Sequence, residues 1–246
     1  DPVHDIILSP SEDGFLYAYT AKNGNEFWSP FRTGGAIWST PAVDKGVAYF
    51  GSHDHKVYAV DLNNGDELWS FETAGVVAGK PLVFDGKVFA GSFDKSFYAL
   101  SADDGSLAWT VEGENWFWAG AVTDGNTIFA PNMDGNIYAI DRNGRLLWKY
   151  NVGSPIVSSP VLVPAGLVVA SKDGNLILLD TRADNLGLQR VLFNQKIGDA
   201  EIKAPLFAVG DSVYVGSEDK TVRRIEFKTG QRNVWCLHTK DGVCTN

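Results

Sequence analysis

Residues that carry catalytic chemistry are scarce in this chain of 246 residues, which has two cysteines and four histidines. His4, His53, His55 and His238 fall in no recognisable nucleophile–base–acid pattern, so a hydrolytic triad has no foothold. Basic residues are few as well: Lys and Arg number 21 against 30 Asp and Glu, for a net charge of -9. Nucleic-acid binding relies on clustered Lys and Arg. Here they are scattered, and the one adjacent pair, Arg223-Arg224, reads as a solvated strand face. No apolar run approaches the ~20 residues that span a bilayer. No leader is visible, so any targeting or tethering segment is expected outside this sequence. The cysteines, Cys236 and Cys244, both sit in the last segment. A bridge between them would imply an oxidising compartment, and two free thiols fit the sequence as well.

What the chain does have is a period. Aspartates at the centre of a turn recur at Asp13, Asp54, Asp94, Asp134, Asp173 and Asp219, in steps of 41, 40, 40, 39 and 46 residues. Before each lies a short apolar run such as Val88-Phe-Ala-Gly91, and after it an alternating run such as Val57-Tyr-Ala-Val-Asp61. Both have the β-branched and aromatic content of strands, joined as a hairpin by an Asp-Gly or Asp-Lys turn. The second run leads into a turn at Asn64-Gly65, Asp104-Gly105, Asn143-Gly144 or Thr229-Gly230, where glycine takes the positive φ a tight turn demands. A third strand carries Trp28, Trp69, Trp109, Trp148 or Trp235, with Leu192-Phe193 in the fifth repeat after an insertion. The run that follows, such as Ile37-Trp-Ser-Thr-Pro41 or Ile156-Val-Ser-Ser-Pro160, is expected to be the fourth strand.

Four strands per repeat and no amphipathic helix predict an all-β, six-bladed β-propeller of four-stranded antiparallel blades, one domain over residues 1–246. The first repeat lacks its own innermost strand, and Val243 to Asn246 stands where the next one would begin. Pairing of the N- and C-terminal segments is therefore expected to close the ring. The other reading is six repeats of a larger, eight-bladed ring.

The segment Ala59-Val-Asp61-Leu-Asn-Asn64-Gly65-Asp-Glu-Leu-Trp69, with its relatives Ala18 to Trp28, Ala99 to Trp109 and Ala139 to Trp148, resembles the tryptophan-docking repeat of the pyrroloquinoline-quinone (PQQ) propeller superfamily. The resemblance covers nearly the whole chain and implies that the tryptophans wedge between adjacent sheets, each indole N–H meeting a carbonyl of the neighbouring blade. The superfamily's enzymes hold PQQ and Ca²⁺ in an eight-bladed ring with an aspartate as base. This chain has no adjacent Cys-Cys pair and no cluster of Asp, Asn and Glu beyond the turn positions. PQQ-dependent dehydrogenation is thus the least favoured reading; no cofactor, metal or catalytic residue is expected. The non-catalytic, BamB-like branch is the better match, and it implies an extracytoplasmic scaffold, periplasmic or cell-surface.

Function is sought where repeats differ without structural need. Lys80 and Lys203 stand where other repeats have Thr40, Gly120 and Ser159 or Ser39, Ala119 and Ser158. With Trp38, Trp116, Trp118, Asp199 and Glu201 they are expected to form an axial mouth with aromatic walls and a few charges, suited to a protein or peptide partner. The competing reading has the lysines paired to the acids and the tryptophans filling a channel. A small-ligand sensor domain of a membrane protein is the alternative function. His53-Asp54-His55 suggests metal only superficially, since its aspartate belongs to the turn of every repeat.

Overall fold

In the computed structural model, residues 5–182, 190–228 and 231–238 are described, the last eight as backbone only. Every regular element among them is a strand. Residues 1–121 and 122–246 form two compact units, and each holds three consecutive antiparallel sheets.

In the N-terminal unit the first sheet is β1 (Ile6–Pro10), β2 (Phe15–Thr20) and β3 (Glu26–Arg32), and the second is β4 (Ala42–Asp44), β5 (Val47–Gly51), β6 (Lys56–Asp61) and β7 (Glu67–Glu72). The third is β8 (Leu82–Phe84), β9 (Lys87–Gly91), β10 (Ser96–Ser101) and β11 (Leu107–Glu112). The C-terminal unit opens with β12 (Val122–Thr123), β13 (Thr127–Pro131), β14 (Asn136–Asp141) and β15 (Leu146–Asn151). Next come β16 (Val161–Val163), β17 (Gly166–Ala170), β18 (Asn175–Leu179) and β19 (Val191–Lys196). The last sheet is β20 (Phe207–Val209), β21 (Ser212–Ser217), β22 (Thr221–Lys228) and β23 (Gln231–His238). Strands pair strictly in chain order, as sequential hairpins require.

The expected fourth strand is misplaced in the sequence reading. Ile37 to Pro41 and its counterparts are not strands; the innermost strand is the short segment after them, Ala42–Asp44 in the second sheet. The cause is that their backbone bonds outward. The amides of Ile37, Val77 and Phe117 donate to the carbonyls of Ser11, Ser52 and Ser92 beside the hairpin turns, which buries these side chains while denying the segment a ladder. The predicted closure by Val243 to Asn246, and the proposed Cys236–Cys244 bridge, fall outside the described side chains.

Central strands are buried on both faces, which explains their nearly continuous apolar runs. Along β6, Tyr58 and Val60 pack toward the first sheet with Leu16, Trp28 and Phe50, whereas Val57 and Ala59 pack toward the third with Trp69, Val88 and Leu100. In the C-terminal unit Phe129, Trp148, Leu167 and Ile177 form one such layer, and Leu178, Phe193, Val213 and Phe227 belong to the next.

The motif alanine has a role in this packing. Ala18, Ala59, Ala99 and Ala139 lie directly across the ladder from Trp28, Trp69, Trp109 and Trp148, so a methyl opposes each indole. In the fifth sheet both sizes change together, with Leu178 opposite Phe193. Each indole also reaches forward. Trp28 Nε1 donates to the Leu62 carbonyl at 3.3 Å and Trp69 Nε1 to that of Ala102 at 3.0 Å, both on the following sheet. Gly65 and Gly105, at φ of 80° and 72°, leave the space: a Cβ there would come within 2.8 Å and 2.6 Å of the Trp28 and Trp69 rings. Burying roughly 200 Å² of indole contributes on the order of 5 kcal/mol at each joint.

The turn aspartates are joints too. Asp54 Oδ1 caps its own turn through Lys56 N at 3.1 Å, and Oδ2 accepts from Tyr58 OH at 2.7 Å and from Gly34 N of the preceding repeat at 2.6 Å. Asp94 does the same with Ser96, Tyr98 and Ala74. Burial, then the bond to Asp94, pushes the Tyr98 phenol up to about 12. In the sixth repeat Arg223 replaces the tyrosine. It is buried against Asp219 at 2.6 Å, which corrects the expectation of a solvated basic pair. Burial pushes the Asp219 carboxyl up, but the bonds from Arg223 and Thr221 outweigh it and leave the carboxyl below its ordinary value.

Candidate functional site

Backbone hydrogen bonds fix which residues of different repeats are equivalent. The amides of His53, Phe93, Lys172 and Glu218 donate to the carbonyls of Ala36, Val76, Pro155 and Glu201. Two residues beyond those acceptors stand Trp38, Ala78, Val157 and Lys203. Trp118 belongs to this same set and Trp116 to that of the acceptors, because Phe117 bonds Ser92 as Ile37 bonds Ser11. Lys203 is therefore the counterpart of Trp38 and Trp118. Lys80 lies two positions further on, with Thr40, Gly120 and Ser159, so the two lysines do not mark one place in the repeat.

In the N-terminal unit these positions converge into a row of rings. Trp116 stacks on Phe93 at 4.5 Å and 5°, and Phe93 stacks on Trp118 at 4.9 Å and 20°. Trp118 meets Trp38 at 6.1 Å, and Trp38 stands edge-on to His53 at 4.1 Å. The end indoles are the open ones, Trp38 at 46% and Trp116 at 39% exposure. The backbones beneath are knitted together: Ser39 Oγ donates to the Gly79 carbonyl at 2.8 Å, and a Cβ on Gly79 would stand 2.8 Å from the Trp118 carbonyl oxygen. Lys80 follows Gly79, is exposed, and has no carboxylate partner among the described residues. Sequence reasoning missed Phe93 and His53, because each sits on a turn some fifteen or more residues from the indole it touches.

His53-Asp54-His55 does not act as one face. His53 joins the ring row, with Nε2 buried and unpartnered, while His55 is exposed at φ 71° where other repeats have Gly14, Lys95, Gly135, Gly174 and Lys220. Among the described residues no group of three His, Cys, Asp or Glu could hold a metal ion.

In the C-terminal unit four of the equivalent positions, Lys172, Glu201, Lys203 and Glu218, are ionic, and Pro155 and Val157 are uncharged. Glu201 pairs with Lys203 at 2.8 Å and Lys172 at 3.5 Å, and Lys203 also reaches Glu218 at 2.7 Å. The hydrogen bonds that Lys203 donates to Glu201 and Glu218 hold its ammonium above the ordinary range, and the bond from Lys203 holds the Glu201 carboxyl below its own. Asp199 pairs instead with Lys196 at 2.9 Å. So of the expected mouth residues, Trp38, Trp116 and Trp118 join one ring row in the N-terminal unit, Lys80 belongs to that unit at a different place in the repeat, and Glu201 and Lys203 meet in the other.

The joint at Trp148 differs from those of Trp28 and Trp69. Trp148 Nε1 is buried without a partner, and the Arg190 guanidinium lies 3.8 Å from the centre of the Trp148 ring. Arg190 is fully buried and donates to the carbonyls of Asp180 and Arg182, each at 2.9 Å.

Comparison with known proteins agrees with this architecture. BamB from Moraxella catarrhalis superposes with a TM-score of 0.78 at 22% identity, over 95% of this chain and 70% of that one. The computationally designed protein Ika8 gives a TM-score of 0.80 at 20% identity, over 98% and 73%. At these identities the likeness shows the propeller fold alone. No curated protein sequence matches the chain. A family model does, over residues 12–232, and by that match the chain belongs to the family described as outer membrane protein assembly factor BamB.

Proposed function

We propose that the chain is a non-enzymatic propeller scaffold that binds a protein or peptide partner through the ring row of its N-terminal unit. One observation carries this reading: the fold does not require rings at these positions. The C-terminal unit fills the same places with Lys172, Glu201, Lys203 and Glu218, yet the N-terminal unit keeps two indoles substantially open to solvent. Exposed tryptophan is costly to leave idle and is the residue type most enriched where interfaces concentrate their binding energy. An extracytoplasmic address, a membrane tether outside this sequence and a single ring of six repeats closed through the terminal segments belong to the same reading, in keeping with the family's outer-membrane description. The test is capture from a native membrane fraction by wild-type protein and by the Trp38→Ala/Trp116→Ala double variant, with melting checked to be similar. A partner held by the first and lost by the second supports the proposal; equal capture overturns it.

A cavity of about 580 Å³ in the C-terminal unit favours the small-ligand sensor as a second reading. It is lined in part by Asp124, Leu162, Asp180, Arg182 and Leu192, and its size is in the range of small-molecule sites. A ligand at 100 times its Kd would stabilise the protein by ~2.7 kcal/mol. Thermal-shift screening with quinones, sugars and divalent cations checks this, and Leu192→Arg should cancel any genuine shift.

A further inference from the structure

We infer that the chain associates head to tail with a second copy of itself, the Val222 face of the sixth sheet in one copy packing on the Ile7 face of the first sheet in the next. The inference goes beyond the partner-binding reading above and uses no residue of the ring row. It starts from a departure from the repeat. Ile7 stands six residues before its turn aspartate, as Ala48, Val88, Ile128, Leu167 and Val213 do. Those five are fully buried, whereas Ile7 is 55% exposed. In the second sheet this position looks upstream, since Ala48 packs against Ile6 of the first. Ile7 therefore lies on the face of the first sheet turned away from the second. Tyr19, directly across the ladder from Ile7, and Tyr17, stacked on Tyr19 at 6.1 Å, share that face. Their counterparts Val60 and Tyr58 are packed against the preceding sheet.

The indole seat of the first sheet is open as well. Gly24, at φ 72°, holds the place of Gly65 and Gly105, which lie against the Trp28 and Trp69 rings. Among the described residues nothing comes within 4 Å of a Cβ on Gly24. The Ala21 amide donates to the Asp5 carbonyl as those of Leu62 and Ala102 donate to Gly46 and Gly86. The Ala21 carbonyl is thus the counterpart of the two that receive indole N–H groups. A strand added along the edge of β1, as the expected closure requires, would widen this face without covering it.

The chain also carries the matching half. Val222 stands three residues after its turn aspartate, the place of Leu16, Val57, Ile137 and Leu176, which are fully buried against the following sheet. Val222 is 39% exposed. Ladder register puts Phe207 and Val209, both exposed, on the same face through Tyr214 and Arg224. Opposite Arg224 stands Trp235, the register that Trp28 holds opposite Ala18. At each joint between consecutive sheets a face of this second kind covers one of the first. Two exposed apolar faces that complement each other, and not themselves, make a heterologous contact between copies.

The test is sedimentation equilibrium of the whole chain over about 1 to 100 µM, where an interface of roughly standard size is populated. The mass should climb with concentration beyond that of one chain. Ile7→Glu and Val222→Glu each bring a carboxylate into the apolar joint and should weaken association by about tenfold or more. Both side chains are exposed, so these variants keep the fold, which matched thermal melts check. Trp235→Ala should weaken association too. A mixture of Ile7→Glu with Val222→Glu is the decisive arm: each variant retains one good face, so the mixture should form a 1:1 pair that grows no further. A chain that stays monomeric throughout, association indifferent to both charges, or a mixture that does not pair overturns the inference and leaves the ring-row reading standing.

Discussion

The two units build one repeat with different chemistry. The N-terminal unit seats Trp28 and Trp69 on glycine turns and lines its equivalent inner positions with rings. The C-terminal unit covers Trp148 with a buried arginine and fills those inner positions with ion pairs. The turn aspartate bonds a tyrosine hydroxyl in both units, from Tyr58, Tyr98 and Tyr138, and Arg223 takes that place in the sixth repeat. Since the backbone bonds at these places are the same, the fold specifies where side chains converge and leaves open what they are. Divergence at such positions is where function is free to enter.

The sharpest way to break the comparison is to remove the C-terminal unit's substitute joint. Arg190→Ala strips two carbonyls of a donor and uncovers the Trp148 ring, and is expected to cost about 3 kcal/mol in urea unfolding. Its counterpart in the other unit, Gly105→Ala, places a methyl 2.6 Å from the Trp69 ring in a left-handed conformation and should cost about 2 kcal/mol by the same measurement. His53→Phe keeps the ring against Trp38 and removes an unpaired nitrogen, so stability should stay level or rise by up to about 1 kcal/mol. Lys203→Met should change the denaturation midpoint least of these, and the change should vanish in 1 M salt, because its partners are at the surface.

The two versions of the aspartate joint should also part company with pH. The Tyr98 phenol, held near 12 against an ordinary 10.0, contributes stability that is fully present below pH 10 and is lost as pH rises toward 12. Asp219, held below its ordinary 3.8, contributes stability present above that value and lost as pH falls beneath it. Tyr98→Phe should therefore flatten the alkaline limb of the stability profile and Arg223→Met the acidic limb; the reverse pattern would break the assignment.

Much of the fold was legible because it is written six times. A 40-residue period, paired apolar runs and a recurring tryptophan predict the hairpins, the outer strand and the indole-to-carbonyl bond between sheets. The inner strand was misjudged because Ile37 to Pro41 has strand-like composition while its amides bond a neighbouring turn. The ring row was half legible: its three tryptophans stood out as departures from the repeat, but Phe93 and His53 join only through tertiary convergence. The role of Arg190 was hidden by the insertion, whose sequence lacks the Asn-Gly or Asp-Gly pair that marks the register in other repeats.

The tryptophan–glycine joint has one more consequence. In the N-terminal unit Trp28 and Trp69 are both handed forward, from one sheet to the turn of the next. Such an array has a direction. A sheet removed from the downstream side strands the indole in water, whereas removal of the first sheet, upstream, bares the glycine turn together with Phe50, Tyr58 and Val60. Truncation series begun from opposite ends should therefore expose different surfaces, and a loss of indole burial should mark only the downstream series.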